Sequence, residues 1–185
     1  MTYYQWIESP LAPLLLTGDG RSLTGLYLQG QKYFPTQTDA WTAAAQVEPF
    51  PQVQHQLDQY FAGQRQQFDL PLNPVGTDFQ KQVWRCLPQI PFGTTSAYGT
   101  LAQMLGKPGA ARAVGAANGR NPISIIVPCH RVIAADRQLT GYAGGIDRKR
   151  WLLQHEQALV SPEASSLLQT SLPLFERPYE IPANR

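Results

Sequence analysis

The strongest signal in this chain is the run Ile123-Ser124-Ile125-Ile126-Val127-Pro128-Cys129-His130-Arg131-Val132-Ile133, in which a thiol and an imidazole follow an apolar segment directly. The apolar part, residues 123–127, predicts a short buried strand with Cys129 at its mouth. Cysteine reacts as the thiolate, and a free thiol with a pKa of about 8.5 is only a few per cent ionised near neutral pH. A neighbouring imidazole is the usual means of activating it, so His130 is the candidate base.

The geometry of an extended chain limits how these two side chains can cooperate. Adjacent residues on a strand point to opposite faces, so Cys129 and His130 cannot touch if the backbone stays fully extended. Two arrangements remain open: either the backbone turns at Pro128, or a water molecule bridges the thiol and the imidazole.

Composition restricts the class of protein. A chain of 185 residues with 43% hydrophobic side chains is long enough for one domain of generous size or two small ones. Residues 1–6 lack the basic and apolar regions of a signal peptide, and no apolar run approaches the roughly 20 residues that cross a bilayer. Two cysteines provide neither a disulfide framework nor a Cys-x-x-Cys metal site, so we expect a cytoplasmic protein without a membrane segment.

Charge is distributed unevenly along the chain. Residues 1–76 carry three basic and six acidic side chains, a net charge of −3, whereas residues 77–157 carry ten basic and four acidic side chains, a net charge of +6. The thiol belongs to the basic half. Because neutralisation of phosphates dominates nonspecific affinity for nucleic acids, this half is the expected DNA-facing side.

The first 76 residues are predicted to form a small antiparallel sheet with one helix. Three β-rich runs separated by turn residues indicate a meander, over residues 3–8, 13–17 and 23–28. Apolar side chains recur at helical spacing within residues 51–63, where Gly63 suits a C-terminal cap. His55 lies off that stripe and is interpreted as a surface histidine. The Pro-, Asn- and Gly-containing residues 71–76 are the predicted domain boundary.

Residues 77–160 are predicted to form a second, helical domain. Thr77 or Asp78 caps its first helix, whose expected buried stripe is Phe79, Val83, Cys86, Leu87 and Ile90. Residues 98–105 and 110–118 indicate two short helices around a turn, which in a basic region is typical of a helix-turn-helix. Asp147 is expected to cap a last helix that ends near Glu156, and residues 161–185 are predicted to be an extended or mobile tail.

Glu156 is the carboxylate with the clearest chemical meaning. Its spacing from Leu152 and Leu153 places it on the apolar face of the last helix, where an unpartnered carboxylate would be costly. His130 is the best candidate partner, which predicts a relay in which Glu156 orients the imidazole. The alternative is a surface glutamate on a frayed final turn. His155, one position off this face, is expected to be solvated.

Several segments together resemble the O6-alkylguanine-DNA alkyltransferases, also called methylated-DNA–protein-cysteine methyltransferases. The shared segments, in chain order, are residues 90–93, 98–99, 111–115, 121–123, 128–132, 141–145 and 152–156. The resemblance implies a two-domain α/β (α+β) protein with an amino-terminal sheet and a carboxy-terminal winged helix-turn-helix-like domain that carries the thiol. It also implies direct repair: one irreversible transfer of an alkyl group from O6-alkylguanine, with O4-alkylthymine as a further candidate lesion, to Cys129 after nucleotide flipping.

The resemblance also implies roles for individual residues. It assigns Cys129 as the acceptor, His130 and Glu156 as a water-bridged relay, Asn121 as a hinge that braces the active-site strand, and Tyr142 as a donor to the leaving guanine. For DNA binding it implies that Arg112 is a finger inserted into the duplex and that Tyr98 lies beside the 3′ phosphate. It also implies that four more residues bind DNA or substrate: Gly115, Lys149, Val132 and Gly144. No cofactor or metal is expected. The expected partner is double-stranded DNA that contains alkylated guanine. The protein is expected to bind it as a monomer, and whether several monomers cluster on DNA is left open.

Two rival functions remain. An alkyltransferase-like module flips and flags damaged guanine without removing the alkyl group, but such proteins lack the cysteine that Cys129 provides. A thiol hydrolase would use Cys129, His130 and Glu156 for acyl transfer, and would need an oxyanion hole and turnover.

Overall fold

The computed structural model describes residues 1–158 and begins with a four-stranded sheet of order β3-β2-β1-β4. Its strands are β1 (Thr2–Ile7), β2 (Leu14–Gly18), β3 (Leu23–Leu28) and β4 (Trp41–Ala43). The first three form the predicted antiparallel meander. β4, however, pairs in parallel with β1, so the sheet is mixed and not purely antiparallel as expected. β4 was not predicted because three residues are too few to show the alternation of apolar and polar side chains that is typical of a strand.

The centre of the amino-terminal half is β2, every residue of which is buried. Helix α1 (Phe50–Phe61) contributes one buried stripe to the same core, made of Phe50, Val53, Leu57 and Tyr60. The ring of Phe50 lies so close to Gly18 of β2 that a Cβ there would be 3.1 Å from it. Gly63 follows the helix at a φ of +73°, the left-handed conformation predicted for a glycine at this end.

The carboxy-terminal half is helical, as predicted. It contains α2 (Asp78–Cys86), α3 (Tyr98–Met104), α4 (Ala111–Gly119) and α5 (Ile146–His155), with a two-residue parallel pairing of β5 (Ser96–Ala97) and β6 (Val132–Ile133). Thr77 caps α2 through a capping box with Gln80. Helix α5, in contrast, begins after Gly145 without a side-chain cap, so the cap predicted at Asp147 is wrong; that carboxylate pairs with Arg150 instead.

The buried face of α2 differs from the predicted stripe at two positions. Cys86 is only half-buried, whereas Trp84, which was not predicted to face inward, is 3% exposed. The indole Nε1 of Trp84 donates to the carbonyl of Ala117 at 2.9 Å and so links α2 to α4. A tryptophan can be buried when its single N–H finds an acceptor, which a carbonyl at the end of α4 provides.

Residues 123–127 are a buried turn and not the strand that their apolar character predicted. Ile125 adopts a φ of +70°, and the amide of Val127 donates to the carbonyl of Ile123 at 3.1 Å, which closes the turn. Ile123 forms only an isolated bridge with Leu26. An apolar run is compatible with any buried conformation, so hydrophobicity alone could not distinguish a turn from a strand here.

The two halves are joined through backbone hydrogen bonds at β3. The amide of Leu26 donates to the carbonyl of Pro122 at 2.9 Å, and the amide of Ser124 donates to the carbonyl of Leu26 at 2.9 Å. Within the predicted boundary, Leu72 forms a bridge with Leu23. The division at residue 76 stays a prediction, and the predicted tail lies outside the described residues. Among residues 1–158, no helix has both the length and the apolar character that a membrane crossing requires.

Candidate active site

Cys129 opens a short 3-10 turn, Cys129–Arg131, which follows the buried turn and leads into β6. Of the two arrangements considered above, the backbone does turn at Pro128, which has φ −81° and ψ +64°. Cys129 is 3% exposed, and the side-chain amide of Asn118 on α4 donates to its carbonyl at 3.2 Å. Among the described residues, the thiol makes no direct hydrogen bond to the His130 imidazole. The helix and the turn together hold the sulfur at a defined place.

Glu156, at the C-terminal cap of α5, meets His130 as predicted. The His130 Nε2 atom lies 2.8 Å from Oε1 of Glu156, and both side chains are fully buried. Arg131 completes the site: its Nε donates to Oε2 at 2.7 Å, and its Nη2 donates to Oε1 at 3.0 Å. The remaining Nη1 donates to the carbonyl of Ile90 at 2.7 Å. The surface alternative for Glu156 is therefore excluded.

The electrostatics of this cluster define its resting state. Burial raises the pKa of the Cys129 thiol, although the nearby side-chain amide of Asn121 and the charge of Lys149 oppose this. Burial likewise lowers the pKa of His130, against the hydrogen bond to Glu156. For Glu156, burial alone would raise the pKa, but hydrogen bonds from His130 and Arg131 and their charges lower it to about 2. At neutral pH the site therefore holds a neutral thiol, a neutral imidazole and an ionised carboxylate.

The tautomer of His130 follows from this charge state. An ionised carboxylate can only accept hydrogen bonds, so the Nε2 atom that faces Glu156 must carry the imidazole proton. The other nitrogen, Nδ1, is then a lone-pair acceptor. It is buried and makes no hydrogen bond to any residue among 1–158. The imidazole is thus oriented with a basic nitrogen available inside the site.

Asn121 uses both ends of its side-chain amide to hold the turn before the thiol. Its Nδ2 donates to the carbonyls of Val127 at 2.8 Å and Ile123 at 3.2 Å, and its Oδ1 accepts from the amide of Ile123 at 3.0 Å. The side chain is 4% exposed. The predicted brace therefore exists geometrically, although it acts on a turn and not on a strand.

Tyr142 lies in the loop before α5 and points into the core. It is 9% exposed, and its hydroxyl forms no hydrogen bond to the described residues. Burial first, and the proximity of Cys129 second, raise its pKa well above the ordinary value. Gly144 lies against its ring, since a Cβ at this position would be 2.5 Å from Cε1 of Tyr142. A side chain at Gly144 would therefore displace the phenol.

Lys149 is a fully buried cation on α5. Its Nζ donates to the carbonyls of Val132 at 2.6 Å and Thr140 at 2.8 Å, so it ties β6 to the loop that carries Tyr142. Burial lowers its pKa to about 8, and the Cys129 thiolate would oppose that shift. Val132 is itself fully buried and meets this cation through its backbone.

Tyr98, Gly115 and Arg112 lie on the helix-turn-helix. Tyr98 begins α3, and its ring packs against Gly115 of α4, where a Cβ would be 3.6 Å away. Arg112 is exposed in the first turn of α4. On α4, Val114 and Ala117 are buried in the core, whereas Ala113 and Ala116 are exposed to solvent, as Arg112 is.

Three contributors to the site were missed by sequence reasoning: Arg131, Tyr60 and Asn118. Arg131 was counted only as a basic residue, although its position directly after His130 offered a signal. Tyr60 was assigned to the core stripe of α1, but its hydroxyl donates to Oε1 of Glu156 at 2.8 Å. His155 was expected in solvent, yet its Nε2 lies 2.7 Å from the carbonyl of Tyr60. Within residues 1–158, no cluster of three or more His, Cys, Asp or Glu side chains could hold a metal ion.

Comparisons with known proteins identify the family of the chain. A family model described as "6-O-methylguanine DNA methyltransferase, DNA binding domain" matches residues 78–158, and one described as "6-O-methylguanine DNA methyltransferase, ribonuclease-like domain" matches residues 2–74. The chain is 52% identical over 158 residues to a methylated-DNA–protein-cysteine methyltransferase of Mycobacterium tuberculosis, covering 85% of this chain and 94% of the relative. It is 49% identical to a protein of the same name from Methanosarcina acetivorans, over 83% and 97% of the two chains.

Solved structures are similar as well. A crystal structure of M. tuberculosis OGT in complex with DNA superposes with a TM-score of 0.77 at 51% identity, covering 84% of this chain and 93% of that chain. The M. tuberculosis O6-methylguanine methyltransferase alone gives a TM-score of 0.78 at 49% identity, covering 90% and 99%. Matches to both halves of the chain and to relatives over nearly their full length confirm the resemblance, and the chain belongs to the 6-O-methylguanine DNA methyltransferase family.

Proposed function

We propose that this protein repairs alkylated DNA directly by moving the alkyl group from O6 of guanine to the sulfur of Cys129. The observation that carries the proposal is the buried arrangement of this thiol beside His130, whose Nε2 is held at 2.8 Å from Glu156. Such a constellation serves nucleophilic attack by sulfur. The names of the relatives, methylated-DNA–protein-cysteine methyltransferases, support the same reaction.

The alkylated base must leave the duplex before the sulfur can reach it. A base pair buries the O6 region in the stack, so the nucleotide is rotated into the protein, as enzymes that act on bases require. Arg112, exposed on α4, is proposed to fill the gap in the duplex, and Tyr98 is proposed to disturb the adjacent phosphate. The net charge of +6 on residues 77–157 supports binding of the phosphate backbone.

The chemical step is a displacement at the alkyl carbon. A sulfur–carbon bond forms while the bond between that carbon and O6 breaks, and the electron pair of the broken bond remains on the guanine. The thiol proton is proposed to pass, through a water molecule, to Nδ1 of His130, while Glu156 stabilises the resulting imidazolium. Tyr142 is proposed to donate a hydrogen bond or a proton to the departing guanine. Because burial raises the pKa of Cys129, the resting thiol is protonated and must lose its proton for the attack.

The product is a thioether at Cys129, which has no easy hydrolytic exit, so each molecule acts once. Neither a cofactor nor a metal takes part in this scheme. We further propose that the substrate is double-stranded DNA with alkylated guanine, that the protein binds it as a monomer, and that it works in the reducing cytoplasm, where both of its cysteines, Cys86 and Cys129, stay free.

The decisive experiment locates the transferred group. The protein is incubated with duplex DNA that carries O6-methylguanine with an isotopically labelled methyl group, and the peptides are then analysed by mass spectrometry. One label per molecule on Cys129 is the expected result. Retained binding without label would instead indicate a flagging module, and several turnovers per molecule would indicate a hydrolase.

Two cysteine variants form a matched pair for this experiment. Cys129→Ser should abolish transfer and leave DNA affinity largely unchanged, because the change removes only the nucleophile. Cys86→Ser, at a half-buried thiol on α2, should transfer the methyl group like the unmodified protein. Transfer that survives in Cys129→Ser would refute the assignment.

A further inference from the structure

The amino-terminal half contributes a hydrogen-bond donor to the relay. Tyr60, in the last turn of α1, is fully buried, and its hydroxyl donates to Oε1 of Glu156 at 2.8 Å across 96 positions of sequence. Oε1 thereby accepts three hydrogen bonds, from His130, Arg131 and Tyr60, whereas Oε2 accepts one from Arg131. Oε1, which faces the imidazole of His130, therefore accepts more hydrogen bonds than Oε2 does.

The Tyr60 hydroxyl acts only as a donor in this position. Burial first, and the negative charge of Glu156 second, raise the pKa of Tyr60, so the phenol keeps its proton at every working pH. The ionised carboxylate has no proton to offer in return. The direction of the hydrogen bond is thus unambiguous.

The position of the Tyr60 ring does not depend on this hydrogen bond. Phe61 and Phe68 pack against it with ring centroids 5.4 Å away, and the His155 ring lies 4.9 Å away. His155 also holds the backbone, since its Nε2 lies 2.7 Å from the carbonyl of Tyr60. The aromatic cluster therefore presents the hydroxyl to Glu156 in a fixed orientation, which is what a positioning residue requires.

We infer that Tyr60 is a positioning residue for alkyl transfer: its hydroxyl fixes the Glu156 carboxylate and moderates the negative charge that His130 experiences. This inference rests on the proposed function. A donor on Oε1 withdraws charge from the oxygen that accepts the His130 proton, so it limits how strongly the carboxylate stabilises the imidazolium. A residue of the amino-terminal half then helps to set the basicity of the His130 imidazole, in addition to supporting the fold.

The charge environment of His130 defines what a change at Tyr60 can do. The charged or titratable groups that act on His130 are Glu156, Arg131 and Lys149, and those that act on the Tyr60 hydroxyl are Glu156, Arg131 and Tyr142. Glu156 is the strongest partner common to both sets. A perturbation at Tyr60 therefore reaches His130 mainly through this carboxylate.

The test is Tyr60→Phe, which removes the hydroxyl and keeps the ring. The rate of single-turnover transfer is measured at saturating methylated duplex between pH 5 and 9. Without the donor, Oε1 carries more negative charge and the pKa of His130 rises, so the acid limb of the profile should move upward by about half a pH unit. The plateau rate should fall about fivefold because the carboxylate is held less firmly. The Kd for DNA should not change.

A second substitution tests the opposite direction. With 3-fluorotyrosine at position 60 the phenol is a stronger donor, so the acid limb should move to lower pH. Val53→Ala is the packing control, since Val53 is fully buried in the core stripe of α1 and is not one of the aromatic side chains that hold the Tyr60 ring. This variant should lower the Tm and leave the acid limb where it is.

The outcomes separate this inference from the proposed function. If the unmodified protein transfers no label to Cys129, the proposed function fails whatever the variants do. If it transfers normally and Tyr60→Phe keeps both its rate and its acid limb, only the role of Tyr60 is refuted. A rate loss that is uniform with pH and matched by Val53→Ala would also refute it, because packing alone would then explain the effect.

Discussion

Replacing Arg131 by methionine should destabilise the protein more than removing one partner of an exposed ion pair does. The guanidinium makes two hydrogen bonds to Glu156 and one to the carbonyl of Ile90, and both ion-pair partners are almost fully buried. Methionine keeps much of the apolar volume but leaves the carboxylate with only His130 and Tyr60. Removing one partner of a buried ion pair costs about 3–5 kcal/mol, so we expect a loss of that size in the free energy of unfolding.

The same variant should change how stability depends on pH. The pKa of Glu156 is lowered from its ordinary value of 4.5 to about 2, which corresponds to about 3 kcal/mol of stability. Since the folded-state pKa is depressed, this contribution is present above pH 4.5 and is lost as the pH falls towards 2. Arg131→Met should raise that pKa towards 4.5, so the acid-dependent loss becomes smaller and is complete at a higher pH.

Urea unfolding followed by tryptophan fluorescence at pH 6 and pH 3 measures both effects, because the chain has four tryptophans. Arg150→Met is the matched control: the Arg150–Asp147 pair has side chains that are 44% and 79% exposed. Its removal should cost less than about 1 kcal/mol. The reasoning is refuted if Arg131→Met loses less than about 1 kcal/mol at pH 6, or if its acid dependence equals that of the unmodified protein.

Three further changes address the loop that carries Tyr142, helix α4 and the turn before Cys129. Gly144→Ala places a Cβ 2.5 Å from the ring of Tyr142 and should slow single-turnover transfer at least tenfold, whereas Gly99→Ala, with nothing within 4 Å, should not. Arg112→Ala should weaken binding of methylated duplex in a fluorescence titration. Because the side chain is exposed, the free energy of unfolding should change by less than about 0.5 kcal/mol, and a larger loss of stability would contradict this placement. Asn121→Ala removes three buried hydrogen bonds and should cost about 2–4 kcal/mol in urea unfolding, so an unchanged midpoint would argue against the brace.

The parts of the fold that sequence reasoning predicted correctly are those with a local cause. The capping signal at Thr77, the helical periodicity of α1 and the glycine after it depend on neighbouring residues only. The run 123–127 was misassigned because its turn is held by the side chain of Asn121, whose partners cannot be recognised from hydrophobicity. β4 was missed because its pairing with β1 is parallel and non-local.

The candidate site shows the same division between local and distant information. Cys129 and His130 are adjacent, and the inward face of α5 was enough to predict that Glu156 needs a partner. The hydrogen bonds that Arg131 and Tyr60 donate to Glu156 were not predicted. The burial of the Arg131 cation leaves no periodic signal in the sequence, and neither does the contact of Tyr60 across 96 positions. Patterns of residue type predicted the chemistry, but they did not reveal how many donors share one carboxylate oxygen.

The hydrogen bonds that bracket Leu26 have a consequence for local unfolding. β3 is an edge strand, and its outer side is occupied by Pro122 and Ser124 at the start of the turn that leads to Cys129. The thiol-bearing segment should therefore open only when the sheet edge opens, so the Leu26 and Ser124 amides should exchange with deuterium at similar slow rates. A fragment of residues 1–76 alone would leave the β3 edge at Leu26 unpaired, which invites self-association of that fragment.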